Sequence, residues 1–309
     1  KPPVSDIYKM FSAADEILAY SSKFDNAPGV LRLAYSLRSK KFDAAILLQN
    51  AIEAAIIALA AGIRVRAGYN SDGRGFLLTH PVRRTTEILR VHQIGYYLEM
   101  VKALGCANVE RSPHLETFIS AADATDVVRR HLTDMAGPFI GIAPGAAYGP
   151  AKRWLPERFA QAGDRLAKEL NAQVLLFGGR DDWETTEQVR EQAQTNMINL
   201  AGRVPLADSV YLMSQCRLFL SNDSGLMHVA GGLNIPTVAV FGSTNPVTTS
   251  PAGEKTMLVR KEVSCSPCLK KTCPTDFRCM TAITVEDVVA AALTLLNGPA
   301  NPRRNDQKS

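Results

Sequence analysis

Arg217-Leu218-Phe219-Leu220-Ser221-Asn222-Asp223-Ser224-Gly225-Leu226-Met227-His228 decides the fold. An apolar strand over Arg217–Ser221 runs into Asn, Asp, Ser and Gly, and a helix starts at Gly225. Asp223 or Ser224 can cap that helix, and Gly225 lets a ligand approach the backbone. A helix N-terminus after a strand offers free N–H groups and the positive end of the dipole, which suits an anion. His228, one turn in, can donate to a phosphate or sugar oxygen. The same residues also fit a plain strand-to-helix turn with a capping Asp and a packed His.

Working outward, the second half repeats this alternation. Strands are expected at Phe139–Ala143, Gln173–Phe177, Arg217–Ser221 and Thr237–Phe241. Helices are expected at Pro156–Glu169, Trp183–Ala193, Leu206–Ser214 and Gly225–Leu233, with a last one at Val285–Leu296. Strands alternating with helices predict an α/β fold with a doubly wound parallel sheet. The first half offers helices at Ile7–Ala13, Pro28–Lys40, Ala51–Ala61, Val91–Leu104 and Ala124–Leu132. Its strands are Ile17–Tyr20, Ala44–Leu48 and Ile63–Ala67, few for a doubly wound domain, so an opening β-α-β portion is expected to be missing. The expected division is 1–135, 136–298 and a flexible tail 299–309, with the Gly137-Pro138 turn opening the second domain.

The 309 residues are 46% hydrophobic, 21% charged and 7% aromatic, which excludes disorder, collagen and a coiled coil. A net charge of +5 is too small for a dedicated nucleic-acid binder. Ala44–Ile63 is the one stretch resembling a membrane span, but Gln49, Asn50 and Glu53 favour a buried strand and short helix instead. No apolar leader follows Lys1-Pro2-Pro3, so a cytoplasmic, reducing setting is expected for the six cysteines.

A second loop, Pro144-Gly145-Ala146-Ala147-Tyr148-Gly149-Pro150-Ala151-Lys152-Arg153-Trp154, also follows the C-terminal end of a strand. It therefore lies on the same sheet edge as Asp223, where ligands of open α/β sheets bind. Lys152 supplies a point charge suited to phosphate, although a solvated basic pair in a surface loop is equally compatible. Gly178–Asp181, Asn199–Arg203 and Phe241–Thr244 are further loops on that edge. Cys265-x2-Cys268-x4-Cys273-x5-Cys279 gathers four of the six cysteines. Four thiolates suit structural zinc or an iron–sulfur cluster, and reduced structural thiols fit the spacing as well.

Pro-Gly-Ala-x-x-Gly-Pro-Ala-Lys-Arg-Trp and Asn-Asp-Ser-Gly-Leu-Met-His-Val-Ala resemble the ADP-heptose:lipopolysaccharide heptosyltransferases (glycosyltransferase family 9), most closely their heptosyltransferase II branch. His92-Gln93-x-x-Tyr96-Tyr97-Leu98 and the Gln49-Asn50 strand end are similar to the family's first domain. The resemblance implies a GT-B glycosyltransferase with two Rossmann-like domains facing a cleft. It implies inverting transfer of heptose from ADP-heptose to the lipopolysaccharide inner core, with no cofactor required. Lys152 would hold the donor diphosphate; Asp223, Ser224 and Gly225 would bracket phosphates and heptose, with His228 in support. Asn199, Met213 and Gly242 would line the adenosine pocket. Asn50, Arg64, Arg66, Arg74 and His92 would face the anionic acceptor. The family's general-base Asp is expected in the missing opening segment, and Asp6 and Asp15 do not inherit its role. Peripheral contact with the cytoplasmic face of the inner membrane, through basic residues of the first domain, is a further expectation. Two competing readings are an ADP-sugar-binding relative without transferase activity and another GT-B nucleotide-sugar enzyme.

Overall fold

The computed structural model describes residues 5, 7–8, 14–18, 27–107, 115, 121–132 and 137–298. The chain divides into two compact units, Lys1–Ser5 with Glu16–Arg111 and Asp6–Asp15 with Ser112–Ser309.

In the first unit, helix α1 (Ala27–Arg38), strand β1 (Ala44–Leu47), helix α2 (Ile52–Ala60), strand β2 (Val65–Tyr69), strand β3 (His80–Val82) and helix α3 (Gln93–Ala103) follow in order. The described strands form one parallel sheet in the order β1-β2-β3. Ala34, Ala58, Ala61 and Ile63 make one small core, while Tyr69, Tyr96 and Met100 make another. The expected helix at Ile7–Ala13 and strand at Ile17–Tyr20 fall largely outside the described residues; Ile17 and Leu18 themselves are not in a strand.

The second unit begins its described course with helix α4 (Ala121–Leu132). Then come strand β4 (Phe139–Ala143), helix α5 (Pro156–Leu170), strand β5 (Gln173–Leu176), helix α6 (Trp183–Gln192) and strand β6 (Met197–Asn199). Helix α7 (Leu206–Ser214), strand β7 (Cys216–Asn222), helix α8 (Gly225–Gly232), strand β8 (Thr237–Val240), short helix α9 (Pro246–Thr249) and strand β9 (Thr256–Val259) follow. The last described elements are short helix α10 (Arg278–Thr281) and helix α11 (Val285–Asn297).

The six strands are all parallel in the order β6-β5-β4-β7-β8-β9. Counted within the unit this is 3-2-1-4-5-6, the Rossmann order. Every residue of β4 is buried, as a central parallel strand covered on both faces requires. Helix α5 starts with Pro156 at its first turn, where the missing N–H costs nothing, and ends on Asn171 in the left-handed conformation. Helix α11 opens with a capping box in which Thr284 and Asp287 satisfy each other's backbone N–H groups.

Val127 and Leu132 of helix α4 are buried in the same core as Phe139, Val210 and Phe219. The tail 299–309 lies outside the described residues.

Candidate functional site

In the order β6-β5-β4-β7-β8-β9 the winding reverses between β4 and β7, and the crevice beyond their C-terminal ends is where such sheets bind ligands. The loop after β4 carries Lys152 and the turn after β7 carries Asp223. Lys152 Nζ lies 2.7 Å from Asp223 Oδ2, with side-chain exposures of 13% and 4%. The Thr244 hydroxyl, from the loop after β8, donates to the same carboxylate oxygen. Lys152 Nζ also stands 4.9 Å from the centroid of the Tyr148 ring, which flanks the charge with a π face.

Asn222 joins the two loops from within. Its Nδ2 donates to Pro144 O at 2.6 Å, and its Oδ1 accepts the Trp154 N–H at 2.9 Å. Trp154 is fully buried, stacks edge-on against Phe159 and donates Nε1–H to Ile283 O at 3.1 Å. The Lys152 loop is thus fixed at its exit. Gly149 has φ +150°, and a Cβ there would meet Lys271 O at 2.4 Å, so only glycine fits.

Ser224 is the N-cap of α8 but makes no capping bond with its side chain; its hydroxyl pairs with Ser221 Oγ at 3.1 Å. The first-turn N–H groups of α8 therefore have no side-chain cap. A Cβ on Gly225 would meet nothing within 4 Å, which leaves open space at the helix N-terminus. His228 is exposed one turn further on. Lys152 and Asp223 are thus paired at this edge, with Ser224, Gly225 and His228 following at the start of α8.

Of the other donor-side residues, Met213 and Gly242 sit inside the fold and Asn199 stands at the sheet edge with protein partners. Met213 is fully buried in the core with Val210 and Leu212. Gly242 is buried against Cys279 and Met280, and its carbonyl accepts the Ser266 hydroxyl at 2.6 Å. Asn199 stands at the expected sheet edge, but its amide donates to Glu187 Oε2 at 2.8 Å and its carbonyl accepts the Ala201 N–H at 3.1 Å. Arg190 first, and then Asn199, hold the Glu187 carboxyl below its usual range.

The basic residues of the first unit also separate. Arg64 and Arg66 lie at the N-terminal end of β2, opposite the ligand-binding edge of a parallel sheet. Arg66 donates to Leu77 O at 2.7 Å and to Ile63 O at 2.6 Å, bracing the strand. Arg74 is fully buried, and its guanidinium serves the carbonyls of Tyr69, Gln49, Ala51 and Leu47. Burial holds its pKa below the ordinary arginine value. Its hydrogen-bonding capacity is taken up by backbone carbonyls inside the unit. Asn50 and His92 remain on the C-terminal edge. Asn50 exchanges hydrogen bonds with Tyr96 OH at 2.9 and 3.2 Å, and His92 caps α3 by accepting the Ile94 N–H at 3.2 Å.

The four-cysteine loop lies against the donor-side loops. Cys265, Cys268, Cys273 and Cys279 are free thiols around one small cavity. Burial, then the neighbouring thiols of Cys265, Cys273 and Cys268, pushes the Cys279 thiol up. Among the described residues no group of three or more His, Cys, Asp or Glu is arranged, as it stands, to hold a metal ion.

Asn222, Thr244 and Tyr148 join this edge through their own contacts, beyond the residues that the motifs single out. For Asn222 the signal was present: a carboxamide ending an apolar strand is buried, and a buried carboxamide requires partners.

Two α/β units with parallel sheets in one chain, the second wound in the Rossmann order, have the GT-B glycosyltransferase architecture of the solved structures they resemble. The profile of glycosyltransferase family 9 (heptosyltransferase) matches residues 30–277, and the chain belongs to that family. It is 32% identical over 240 residues to lipopolysaccharide heptosyltransferase 2 of Escherichia coli, covering 74% of this chain and 68% of that protein. Lipooligosaccharide heptosyltransferase 2 of Haemophilus influenzae is 31% identical with the same coverage. The solved ADP-heptose lipopolysaccharide heptosyltransferase II of E. coli superposes with a TM-score of 0.74 at 30% identity, over 86% of this chain and 80% of the other. A family 9 glycosyltransferase from Veillonella parvula gives a TM-score of 0.79 at 25% identity, over 96% and 86%.

Proposed function

We propose that this chain transfers L-glycero-D-manno-heptose from ADP-heptose to the inner core of lipopolysaccharide, with inversion at the anomeric carbon. The observation that carries this reading is the Lys152–Asp223 pair beside the open N-terminus of α8, in a chain related to heptosyltransferase 2 enzymes. In the reaction an acceptor hydroxyl oxygen forms a bond to the anomeric carbon as the bond to the ADP phosphate oxygen breaks. The hydroxyl proton passes to a base, and ADP leaves with the electron pair. Lys152 and the N–H groups at Ser224–Gly225 stabilise charge growing on the diphosphate, the role fixed electrostatic donors perform best. Asp223 orients Lys152 and accepts from Thr244 while facing the sugar side. His228 supports the same group from the helix surface. Asn199 serves the adenosine side, where its carbonyl accepts the Ala201 N–H and its amide donates to Glu187. On the first unit, Asn50 and His92 are the acceptor-side residues.

Among the described residues no helix is long and apolar enough to cross a membrane. Contact with the cytoplasmic face of the inner membrane would be peripheral, through exposed basic residues of the first unit such as Arg64. Sedimentation with anionic vesicles checks this; no binding at low salt removes it.

The deciding experiment is calorimetric titration of the chain and of Lys152→Ala with ADP-heptose, alongside a transfer assay with an inner-core acceptor. Saturable binding abolished in the variant, with product of inverted configuration, is expected. Absence of donor binding by the unmodified chain removes the reading.

A further inference from the structure

Helices α1 and α2 of the first unit share a small core of Ala34, Ala58, Ala61 and Ile63, with Ala45 and Leu47 of β1 packed against it. The faces they turn away from that core are apolar as well. On α2 the outward stripe is Ile52, Ile56 and Leu59, at i, i+4 and i+7, and all three are exposed. A helix that faces water ordinarily carries charged or polar residues there. On α1 Leu31 and Tyr35 are 62% and 77% exposed. Between the two helices an open groove of about 460 Å³ is lined by Leu31, Arg32, Ala34, Tyr35, Arg38 and Ala60. An exposed apolar patch with a polar rim marks an interaction surface.

The rim says what the surface meets. From Ala27 to Lys41 the chain carries Arg32, Arg38, Lys40 and Lys41 and no Asp or Glu. Lys40 pairs with Glu16 at 2.6 Å, and among the described residues no carboxylate pairs with Arg32, Arg38 or Lys41. Asp43, exposed at the entry to β1, and Glu53, on the first turn of α2, are the acids that follow. Apolar side chains ringed by unpaired cations match an anionic lipid surface, which offers phosphates outside and hydrocarbon beneath. Tyrosine favours the headgroup level, and arginine lays its apolar stem along the boundary with its charge in water. Helix α2, with nine residues, is far below the roughly 20 needed to cross a bilayer, so it can only lie along one. It falls within Ala44–Ile63, the stretch whose composition approaches that of a membrane span.

We propose that the outward faces of α1 and α2 seat this chain on an anionic phospholipid bilayer. Leu31, Tyr35, Ile56 and Leu59 enter the boundary between headgroups and acyl chains, and Arg32, Arg38 and Lys41 meet lipid phosphates. The proposal rests on the peripheral-contact reading above and gives it a surface and an apolar component.

The test is co-sedimentation of the full chain with phosphatidylcholine vesicles, with and without phosphatidylglycerol. Binding to the anionic vesicles is expected, with little to phosphatidylcholine alone. Leu31→Gln/Tyr35→Gln should lower the partition coefficient at least about tenfold. Arg32→Gln/Arg38→Gln should lower it about fivefold per residue. Arg129→Gln, on exposed α4, is the control that should change nothing. Tyr35→Trp keeps an aromatic ring in place and decides insertion if the double variants do not fold. Its emission should shift to the blue and be quenched by brominated acyl chains, above the background of Trp154 and Trp183. Parent-like binding by both double variants, or no quenching in Tyr35→Trp, overturns the proposal and leaves contact through other basic residues standing. A lipid-independent dimer that Leu31→Gln/Tyr35→Gln abolishes assigns the surface to a second copy and overturns it too. No vesicle binding by the unmodified chain removes the peripheral-contact reading together with this one. Titration with ADP needs no lipid and reports on the donor site separately.

Discussion

Asn222 and Trp154, 68 residues apart, are joined by a fully buried hydrogen bond in which Asn222 Oδ1 accepts the Trp154 N–H at 2.9 Å. With its second bond to Pro144 O, the Asn222 carboxamide holds both ends of the loop that presents Lys152. Asn222→Ala strands the Trp154 N–H and the Pro144 carbonyl inside the protein, at a cost of about 1–3 kcal/mol each. The variant is expected to melt several degrees lower and to bind ADP more weakly, in thermal denaturation and calorimetry. An unchanged melting temperature and affinity would contradict the role given to this residue.

Asp223→Asn tests the ion pair. Neutralising Asp223 removes a negative charge 2.7 Å from Lys152 Nζ and releases the ammonium toward an incoming diphosphate. Affinity for ADP is expected to hold or rise, while heptose transfer falls by roughly a hundredfold, the scale of losing one preorganised polar contact at a reacting centre. A loss of ADP affinity matching that of Lys152→Ala would show that Asp223 serves the phosphates and not the sugar.

Two glycines separate folding from binding. Gly149→Ala is expected to destabilise, because its φ of +150° and the Lys271 carbonyl both exclude a Cβ. Gly225→Ala meets no protein atom and should leave the melting temperature within about a degree, since a residue at a helix start gains little from glycine. The same methyl group intrudes on the ligand's approach, so ADP affinity is expected to drop in Gly225→Ala alone.

Arg74→Met leaves four backbone carbonyls of the first unit without their donor and should reduce its stability by about 3 kcal/mol or more. Exposed Arg64→Ala should change neither stability nor the acceptor KM. Protease resistance of the first unit and acceptor titrations check both. A stable Arg74→Met with a raised acceptor KM would restore that arginine to the acceptor side.

Acid sensitivity is expected at the start of α11. Burial acts to raise the Asp287 carboxyl, but Lys261 and the Thr284 N–H and hydroxyl outweigh it and hold the pKa below the ordinary value. A carboxyl depressed in the folded state adds stability that is full above its unfolded pKa, about 4. That stability is lost as pH falls through the lower folded value. Asp287→Asn should therefore melt lower than the parent at pH 7, with the difference shrinking toward pH 3. Thr284→Ala should cost about 1 kcal/mol. A pH-independent difference for Asp287→Asn would assign the effect to packing.

The second unit was readable because its strands β4, β5, β7 and β8 are central, buried on both faces and therefore written as short apolar runs between turn residues. The Lys152 and Asp223 loops followed from those strands, since the C-terminal edge of a parallel sheet is set by chain direction. Strands β3, β6 and β9 are not legible in the sequence: three or four residues at a sheet edge carry too little alternation to stand out from a loop. The sequence by itself thus determined the α/β class, the winding of the second unit and the family. Which polar residues are spent inside the protein was decided only by tertiary structure. Met213, Gly242 and Arg74 have the composition of site residues, yet each is consumed by packing or by backbone carbonyls. Residue type and position in the motif say what a side chain can bind, but only the folded neighbourhood says whether another part of the chain has already bound it.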